Sequence, residues 1–415
     1  TDQSCDHSLI RRGNFYRDRS ILTRLRDHRA RDRTDHNQAH QYRYTTPEAG
    51  GSIVSRILMA MSGGVDSSVA AALLVEQGHE VVGVTMKTFC YSETPDHSKT
   101  CCGLDGISDA KRVATALGIP HYVFDVEDAF DRDVIDDFVT QYAQGKTPNP
   151  CVRCNGYIKF RDLLSRGRSL GCDLIASGHY VQIEHTHSQS KILRGHDAQK
   201  DQSYFLWALP HAMLKSLLFP VGNLTKEQVR EHAQDQGLVN ANKPESQEIC
   251  FVPTGDYRDL LRKRLGELHP ALQAGYLVRR SGEIVGEHNG YAGFTIGQRK
   301  GLGGGSPEPM FVLSIIPDTK EVVVGTRAEL FDDIVIISGL NWLGEPIEDG
   351  TETLVQLRYR APSVLALVSH EKNQIVLRLK EAQAAVTPGQ SAVLFDQENR
   401  CLIGGGTIVS AHSSD

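Results

Sequence analysis

The chain is predicted to be an α/β protein, a doubly wound parallel sheet followed by a small central β-containing segment and a C-terminal β-barrel. Three observations predict it. Between residues 56 and 177, apolar runs of strand length alternate with stretches of helical length. The first strand passes into the first helix through Ser62-Gly63-Gly64-Val65-Asp66-Ser67-Ser68, with the apolar runs Ile57-Leu58-Met59-Ala60-Met61 before it and Val69-Ala70-Ala71-Ala72-Leu73-Leu74 after it. From Gly275 onward the texture changes to short apolar runs separated by Gly, Pro, Asn and Asp, which is the pattern of an all-β region.

Taken in order, residues 57–61 read as a strand, 67–77 as a helix stopped at Gly78, and 80–86 as a second strand. Residues 105–117 read as a helix stopped at Gly118, 121–126 as a strand and 127–144 as a helix. A loop rich in breakers follows, Gly145-Lys146-Thr147-Pro148-Asn149-Pro150, then a helix over 157–170 and a strand over 173–177. Helices over 226–236 and 256–265 make a middle segment, with Thr225-Lys226-Glu227 as the start of the first. Strands are expected at 311–316, 321–324, 334–337, 353–359, 364–368, 374–379, 391–395 and 401–409. The resulting division is an extension at 1–52, an α/β domain at 53–222, a central segment at 223–305 and a barrel at 306–415.

Composition bounds the function classes. No apolar run approaches membrane-spanning length and no secretory leader opens the chain, so no membrane partner is expected and the cytoplasm is the expected location. The net charge of −6 argues against a generally basic nucleic-acid-binding surface, yet one folded RNA needs only a local basic face. Arg153, Lys159, Arg161, Arg166, Arg168, Arg279, Arg280, Arg299, Lys300, Arg358 and Arg360 are candidates for it. Residues 1–50 hold ten Arg, six Asp, one Glu, four His and no Lys, with no periodic apolar face, and read as a disordered appendage. An import leader, a mis-assigned start and a non-native extension are the alternatives, the six aspartates speaking against import.

Two constellations carry chemistry. The glycines of residues 62–68 let backbone approach an anion without a Cβ in the way, and the first N–H groups of the following helix point at it. A nucleotide phosphate is the obvious occupant. The loop lacks the Gly-Lys-Ser/Thr ending of a Walker loop and the spaced glycines of a dinucleotide fold. The second constellation is Cys151-Val152-Arg153-Cys154, read as a loop before a helix starting near Tyr157, with a third cysteine at Cys250. A thiol at a helix start beside an arginine is activated for nucleophilic attack or metal binding. Cys154 and Cys250 could pass sulfur as a persulfide, or Cys151, Cys154 and Cys250 could hold an iron-sulfur cluster by three thiolates. A structural zinc site or buried thiols is the bland reading, and the zinc site would need a fourth ligand.

The glycine loop resembles that of the PP-loop ATPases, adenine-nucleotide α-hydrolases that split ATP between the α- and β-phosphates. With further landmarks the chain is similar to the tRNA-specific 2-thiouridylases. These are Thr147-Pro148-Asn149-Pro150, Cys154-Asn155, Lys159-Phe160, Ser177-Gly178-His179-Tyr180, 200–206, Phe219-Pro220-Val221-Gly222, Ile249-Cys250-Phe251 and 297–303. The resemblance spans about Arg56 to Ser410. It implies an enzyme that replaces the C2 oxygen of the wobble uridine of tRNA with sulfur, through an adenylated base. A PP-loop ligase or amidotransferase acting on another carbonyl, and a non-catalytic iron-sulfur nucleotide-binding protein, are the rival readings.

Residue by residue, the resemblance implies that Ser62, Gly63, Gly64, Asp66, Ser67 and Ser68 bind ATP phosphates with Mg²⁺, and that Met86 and Gly178 lie near adenine. Cys154 corresponds to the nucleophile and Cys250 to the sulfur carrier. Asp201, Gln202, Ser203 and Tyr204 would face the flipped uridine, and Lys159, Arg299 and Lys300 would grip the tRNA. His179 is expected to be either a site residue or a hydrogen-bonded structural one. The implied partners are tRNA and a sulfur-donor protein, a cysteine desulfurase or a relay. Where many relatives carry an aspartate this chain has Cys151, the form expected to favour the cluster.

Overall fold

The computed structural model describes residues 54–88, 104–245, 249–252, 255–302 and 308–414. The proposed extension at 1–52 lies outside the described residues. The N-terminal unit is a five-stranded sheet built from β1 (Arg56–Ala60), β2 (Glu80–Lys87), β3 (His121–Asp125), β4 (Leu174–Ser177) and β7 (Leu217–Leu218), in the order β3-β2-β1-β4-β7. Every pairing in it is parallel. Its central strands β1, β2 and β4 are largely apolar runs because both faces are covered there, whereas the edge strand β3 leaves Tyr122 and Val123 exposed. Ile57 and Met59 of β1 join one apolar cluster with Val69 and Ala70 of α1 (Val65–Glu76) and Ala110 and Val113 of α2 (Leu104–Leu117). Leu58, pointing the other way, joins a second cluster with Phe130, Phe138, Phe160 and Leu163.

That second face is covered by α3 (Glu127–Phe130), a π-helical turn (Asp131–Ile135) and α4 (Asp136–Ala143), then by α5 (Pro150–Arg153), a second π-helical stretch (Cys154–Lys159) and α6 (Phe160–Ser169). Here the structure corrects the expected helix start near Tyr157. The helix begins at Pro150, because Asn149 caps it through its side chain to Val152 N at 3.3 Å and a proline at the first helical position has no N–H to leave unsatisfied. Cys151 and Cys154 therefore lie on helix and not on the loop before it.

A hairpin of β5 (Val181–His185) and β6 (Ser190–Arg194) and then α7 (Lys226–Asp235) follow; α7 opens with a complete capping box between Thr225 and Gln228. Helix α8 (Tyr257–Leu265) leads into a four-stranded sheet of order β10-β11-β8-β9, formed by β8 (Ala274–Val278), β9 (Ile284–Asn289), β10 (Phe311–Ile316) and β11 (Glu321–Gly325). The expected boundary at 306 cuts through this sheet. Strand β11 pairs in parallel with β8 from Glu321↔Tyr276 to Val323↔Val278, so β10 and β11 belong to the middle unit.

The C-terminal unit is a closed barrel, β12-β15-β14-β13-β16-β17, of β12 (Phe331–Trp342), β13 (Glu352–Gln356), β14 (Val364–Glu371), β15 (Gln374–Ala384), β16 (Ser391–Phe395) and β17 (Leu402–His412). Closure leaves no unpaired edge. Inward-facing Val335, Val355, Val368, Leu377 and Leu394 fill it. Among the described residues no helix is long and apolar enough to cross a membrane.

Candidate active site

The carboxyl ends of β1 and β4 meet at the glycine loop. Gly63 has φ +75° and lies so close to the Gly106 carbonyl that no side chain fits there. Gly178, just past β4, approaches the start of α1 so closely that a Cβ on it would stand 2.7 Å from Ser67 N. Gly64 is the N-cap of α1 and supplies no side-chain cap. A helix end of this kind, with its dipole and no capping side chain, is suited to an anion. Ser67 and Ser68 both donate to the Gly64 carbonyl at 3.0 Å, and Ser62 Oγ lies 3.3 Å from Ser67 Oγ, so the hydroxyls brace the loop.

Around this loop stand polar groups drawn from elements far along the chain. Lys226 Nζ donates to Asp66 Oδ1 at 2.6 Å and lies 2.9 Å from Glu245 Oε1, whose second oxygen receives Lys200 at 2.7 Å. Tyr180 donates to the same Asp66 oxygen at 2.7 Å. Asn240 Nδ2 donates to the Gly63 carbonyl at 3.0 Å and to Ser68 Oγ at 2.9 Å, while its Oδ1 is buried without a partner among the described residues. Lys243 Nζ reaches Gly63 O at 3.3 Å and Asp109 Oδ2 at 2.7 Å. Burial works to raise Glu245, and hydrogen bonds from Lys200 and Lys226 outweigh it and draw its carboxyl down to about 2. Burial first, and the Asp66 charge second, push the Tyr180 hydroxyl well up, so it stays a donor to that carboxylate.

Three lysines stand around the glycine loop, each paired with a carboxylate, Asp66, Glu245 or Asp109, and they can meet a polyphosphate by exchanging those partners. Lys226, Lys243, Lys200, Asn240 and Tyr180 were not among the expected site residues. Tyr180 and Lys200 carried a local sign, their places in Ser177-Gly178-His179-Tyr180 and in 200–206; Lys226, Asn240 and Lys243 reach the loop from 160 or more residues away. Mg²⁺ is commonly held by one or two carboxylates plus substrate phosphates, and Asp66, with its side chain 31 % exposed at the loop, fits that manner of binding. Met86 is buried at the end of β2, on the same carboxyl edge of the sheet. His179 is a structural residue: its Nδ1 lies 2.8 Å from Ser177 Oγ, its ring packs against Phe160 and Phe219, and burial, aided by the charge of Lys159, keeps it neutral.

The cysteine region adjoins this edge. The His179 ring touches Phe160, which begins α6 six residues after Cys154. Cys151 is exposed on α5, and Cys154 and Cys250 are half-buried. Beside Cys250, the Phe251 ring packs edge-on against Phe130 at 5.8 Å and Phe138 at 5.1 Å, and next to Phe138 the Asp137 carboxylate pairs with Arg153 at 3.5 Å. The two half-buried cysteines are thus seated on adjoining elements. Among the described residues no three His, Cys, Asp or Glu side chains stand close enough together to hold a metal ion. In this arrangement Cys151, Cys154 and Cys250 do not fit a shared cluster.

The segment 200–206 is placed differently from its expected role. Asp201 accepts from Arg194 Nη1 at 2.7 Å and from Ser203 Oγ at 2.7 Å, and its side chain is 8 % exposed. Ser203 and Tyr204 are buried, the Tyr204 hydroxyl donating to the Ser391 carbonyl of the barrel at 3.0 Å. Gln202 accepts from Tyr180 N at 3.0 Å. Asp201, Ser203 and Tyr204 are thus directed into the joint with the barrel, whereas Gln202 is directed at the backbone just past β4. Arg299 and Lys300 are exposed and Lys159 is half-buried on the helix after Cys154.

Three family models match along the chain: the tRNA methyl transferase HUP domain over residues 55–254, the tRNA methyl transferase PRC-barrel domain over 261–326 and the aminomethyltransferase β-barrel domain over 332–408. The chain is 46 % identical over 361 residues to the tRNA-specific 2-thiouridylase MnmA of Carboxydothermus hydrogenoformans, covering 85 % of this chain and 97 % of that one. It is 45 % identical over 362 residues to the protein of the same name from Geotalea uraniireducens, covering 86 % and 95 %. A solved 4-thiouridine synthetase–RNA complex with bound ATP aligns over 52 % of this chain and 51 % of that one at 16 % identity and a TM-score of 0.31, too distant to bear on the argument. At these identities, over nearly the full length of such relatives, the chain belongs to the tRNA-specific 2-thiouridylase family.

Proposed function

We propose that the protein carries out ATP-dependent 2-thiolation of the wobble uridine of tRNA. The observation that carries this reading is a lysine-walled glycine loop at the carboxyl edge of the sheet, where His179 packs on Phe160 of the helix that continues from Cys154. The C2 carbonyl of uridine is a poor electrophile and its oxygen a poor leaving group. Attack of that oxygen on the α-phosphate of ATP, with release of pyrophosphate, solves both problems. The residues 62–68 loop and the start of α1 hold the leaving pyrophosphate, and Lys226 and Lys243 exchange their present carboxylate partners for its charge. Mg²⁺, when bound, neutralises charge on the phosphates.

Sulfur then arrives from the cysteine side. The terminal sulfur of a Cys250 persulfide attacks C2 and AMP departs; Cys154 thiolate attacks the Cys250 sulfur, breaking the sulfur-sulfur bond and leaving the new sulfur on the base. A Cys154–Cys250 disulfide remains, which an external thiol reductant must reopen. Once that thiol has reopened the disulfide, the Cys250 thiolate takes the outer sulfur of a persulfide carried by a donor protein, a cysteine desulfurase or relay, whose own thiolate departs. The uridine must leave its stack to enter, at a cost of a few kcal/mol, so the tRNA is gripped elsewhere, with Lys159, Arg299 and Lys300 as contacts.

Mass spectrometry of tRNA nucleosides after incubation with ATP, a persulfide donor and a thiol tests the reading. A gain of one sulfur for oxygen at uridine, dependent on ATP and lost in Cys154→Ser and Cys250→Ser, is expected. Unmodified tRNA under all conditions refutes it. Cys151→Ser separates the two sulfur routes: the persulfide route keeps activity in this variant, and joint loss of activity and bound iron from anaerobically purified protein would establish the cluster instead.

A further inference from the structure

The helix that carries Cys154 also carries an exposed aromatic side chain in a basic surround. From residue 150 to 170 there are five bases, Arg153, Lys159, Arg161, Arg166 and Arg168, and one acid, Asp162, so this stretch is strongly positive in a chain whose net charge is −6. Tyr157, three residues after Cys154, is 42 % exposed. It lies in the π-helical stretch Cys154–Lys159, with one arginine four residues before it and another four residues after it. The Arg153 guanidinium carbon is 4.2 Å from the ring centroid and that of Arg161 is 5.6 Å. Asp137 holds Arg153 by its Nε at 3.5 Å, which fixes that cation over the ring. Arg161 is exposed and stands farther from the ring than Arg153, so it is the arginine able to move off it.

A partly exposed tyrosine flanked in sequence by two arginines close to its ring is a good surface for a nucleobase, whose π-face stacks on the ring while an arginine meets the adjoining phosphate. The charge complementarity selects a polyanion. We propose that Tyr157, flanked by Arg153 and Arg161, is a stacking platform for an unpaired anticodon-loop nucleotide next to the uridine that enters the site. Arg161 swings from the ring to that nucleotide's phosphate. The platform would hold the loop open beside Cys154, and it rests on the reading of tRNA as substrate.

Steady-state thiolation and tRNA binding over a salt series, with Tyr157→Ala, Tyr157→Trp and Arg161→Ala, test it. Tyr157→Ala should raise the KM for tRNA about tenfold and leave the KM for ATP unchanged, and Tyr157→Trp should restore most of the loss. Arg161→Ala should weaken tRNA binding and reduce the steepness of its salt dependence by about one unit. Wild-type tRNA affinity in Tyr157→Ala overturns the platform, as does a loss that Tyr157→Trp fails to restore. A defect seen with a protein persulfide donor but absent with inorganic sulfide would assign the patch to the donor and also overturn it. A wild-type chain that binds tRNA yet thiolates none contradicts the proposed function instead, and the binding series still decides the platform.

Discussion

The glycine loop at 62–68 and the polar segment at 200–206 look alike in the sequence and end in opposite situations. At the loop, glycines hold side chains away and a half-exposed Asp66 is met by Lys226 and Tyr180, groups able to change partners when an anion arrives. At the segment Asp201, Ser203 and Tyr204 turn inward. Asp201 and Ser203 lock onto Arg194, and Arg194 in turn reaches Gln356 at 3.0 Å, Ser363 at 2.8 Å and Asn399 at 2.9 Å while its guanidinium lies 3.6 Å from the Phe395 ring centroid. Trp207 adds a bond to Ser391 Oγ at 2.9 Å, and Asn341 returns one to the Trp207 carbonyl at 2.6 Å. A run of polar residues can serve a ligand or a joint between units, and what distinguishes the two here is access: both carboxylates are paired within the chain, but the Asp66 side chain is 31 % exposed and that of Asp201 8 %.

The largest expected effect would break this comparison on the loop side. Asp66→Asn keeps an acceptor for Tyr180 but removes the charge that faces Lys226 and the metal. Pyrophosphate release should fall on the order of 10²- to 10³-fold, with thermal stability nearly unchanged. Release within threefold of wild type would remove the loop from catalysis. Next, Arg194→Met at the joint leaves the Asp201 carboxylate largely buried and unpaired. That should lower stability by about 3 kcal/mol in denaturant titration, with ATP binding intact below the transition. A variant as stable as wild type but defective in tRNA binding would return the segment to the substrate.

A smaller change sharpens the loop side further. Lys226→Gln should weaken ATP binding about tenfold and leave AMP binding as it was, since AMP lacks the phosphates that the lysine meets. Equal losses for both nucleotides would make Lys226 a structural residue that holds Asp66 and Glu245 in place.

The parallel sheet, the glycine loop and the β character of the last third were legible in the sequence because each is a local pattern. Period, glycine placement and turn residues all lie within a dozen positions of one another. The helix start at Pro150 was missed because Pro148 and Pro150 read as breakers, although proline after an asparagine cap is a start signal. Strands β10 and β11 were assigned to the barrel because a strand's text does not name its partner, and their pairing with β8 is a long-range fact. Lys226, Asn240 and Lys243 were illegible as site residues for the same reason, being 160 to 180 residues from the atoms they touch. The inward turn of Asp201 and Ser203 depends on Arg194 and the barrel beyond it, so no reading of residues 200–206 alone could have found it.

The smallest effect concerns the strand that feeds the loop. Thr85 Oγ1 donates to the Met61 carbonyl at 2.7 Å and lies 2.8 Å from His121 Nε2, so a neutral imidazole braces the carboxyl end of β1. Burial, with the charge of Lys111 second, pushes His121 down to about 4 from an ordinary value of 6.5. Above pH 6.5 folded and unfolded chains are both neutral at this residue, and its share of stability is fully present. Between pH 6.5 and 4 the unfolded chain binds a proton that the folded one refuses, so stability is lost as pH falls, by about 1 kcal/mol at pH 5 once the ring's partial exposure is allowed for. Glu245, drawn down to about 2, keeps its contribution above pH 4.5 and loses it only below, so the Lys226 pairing does not contribute to the slope between pH 7 and 5. His121→Gln retains a partner for Thr85 and removes the titration. Its stability, measured by urea unfolding, should therefore decline less than that of wild type over that interval, with residual slope from other buried histidines such as His179. Parallel declines in the two proteins would show that protonation of the unfolded His121 is not the cause, and would leave the loop-side strand no more acid-sensitive than the joint.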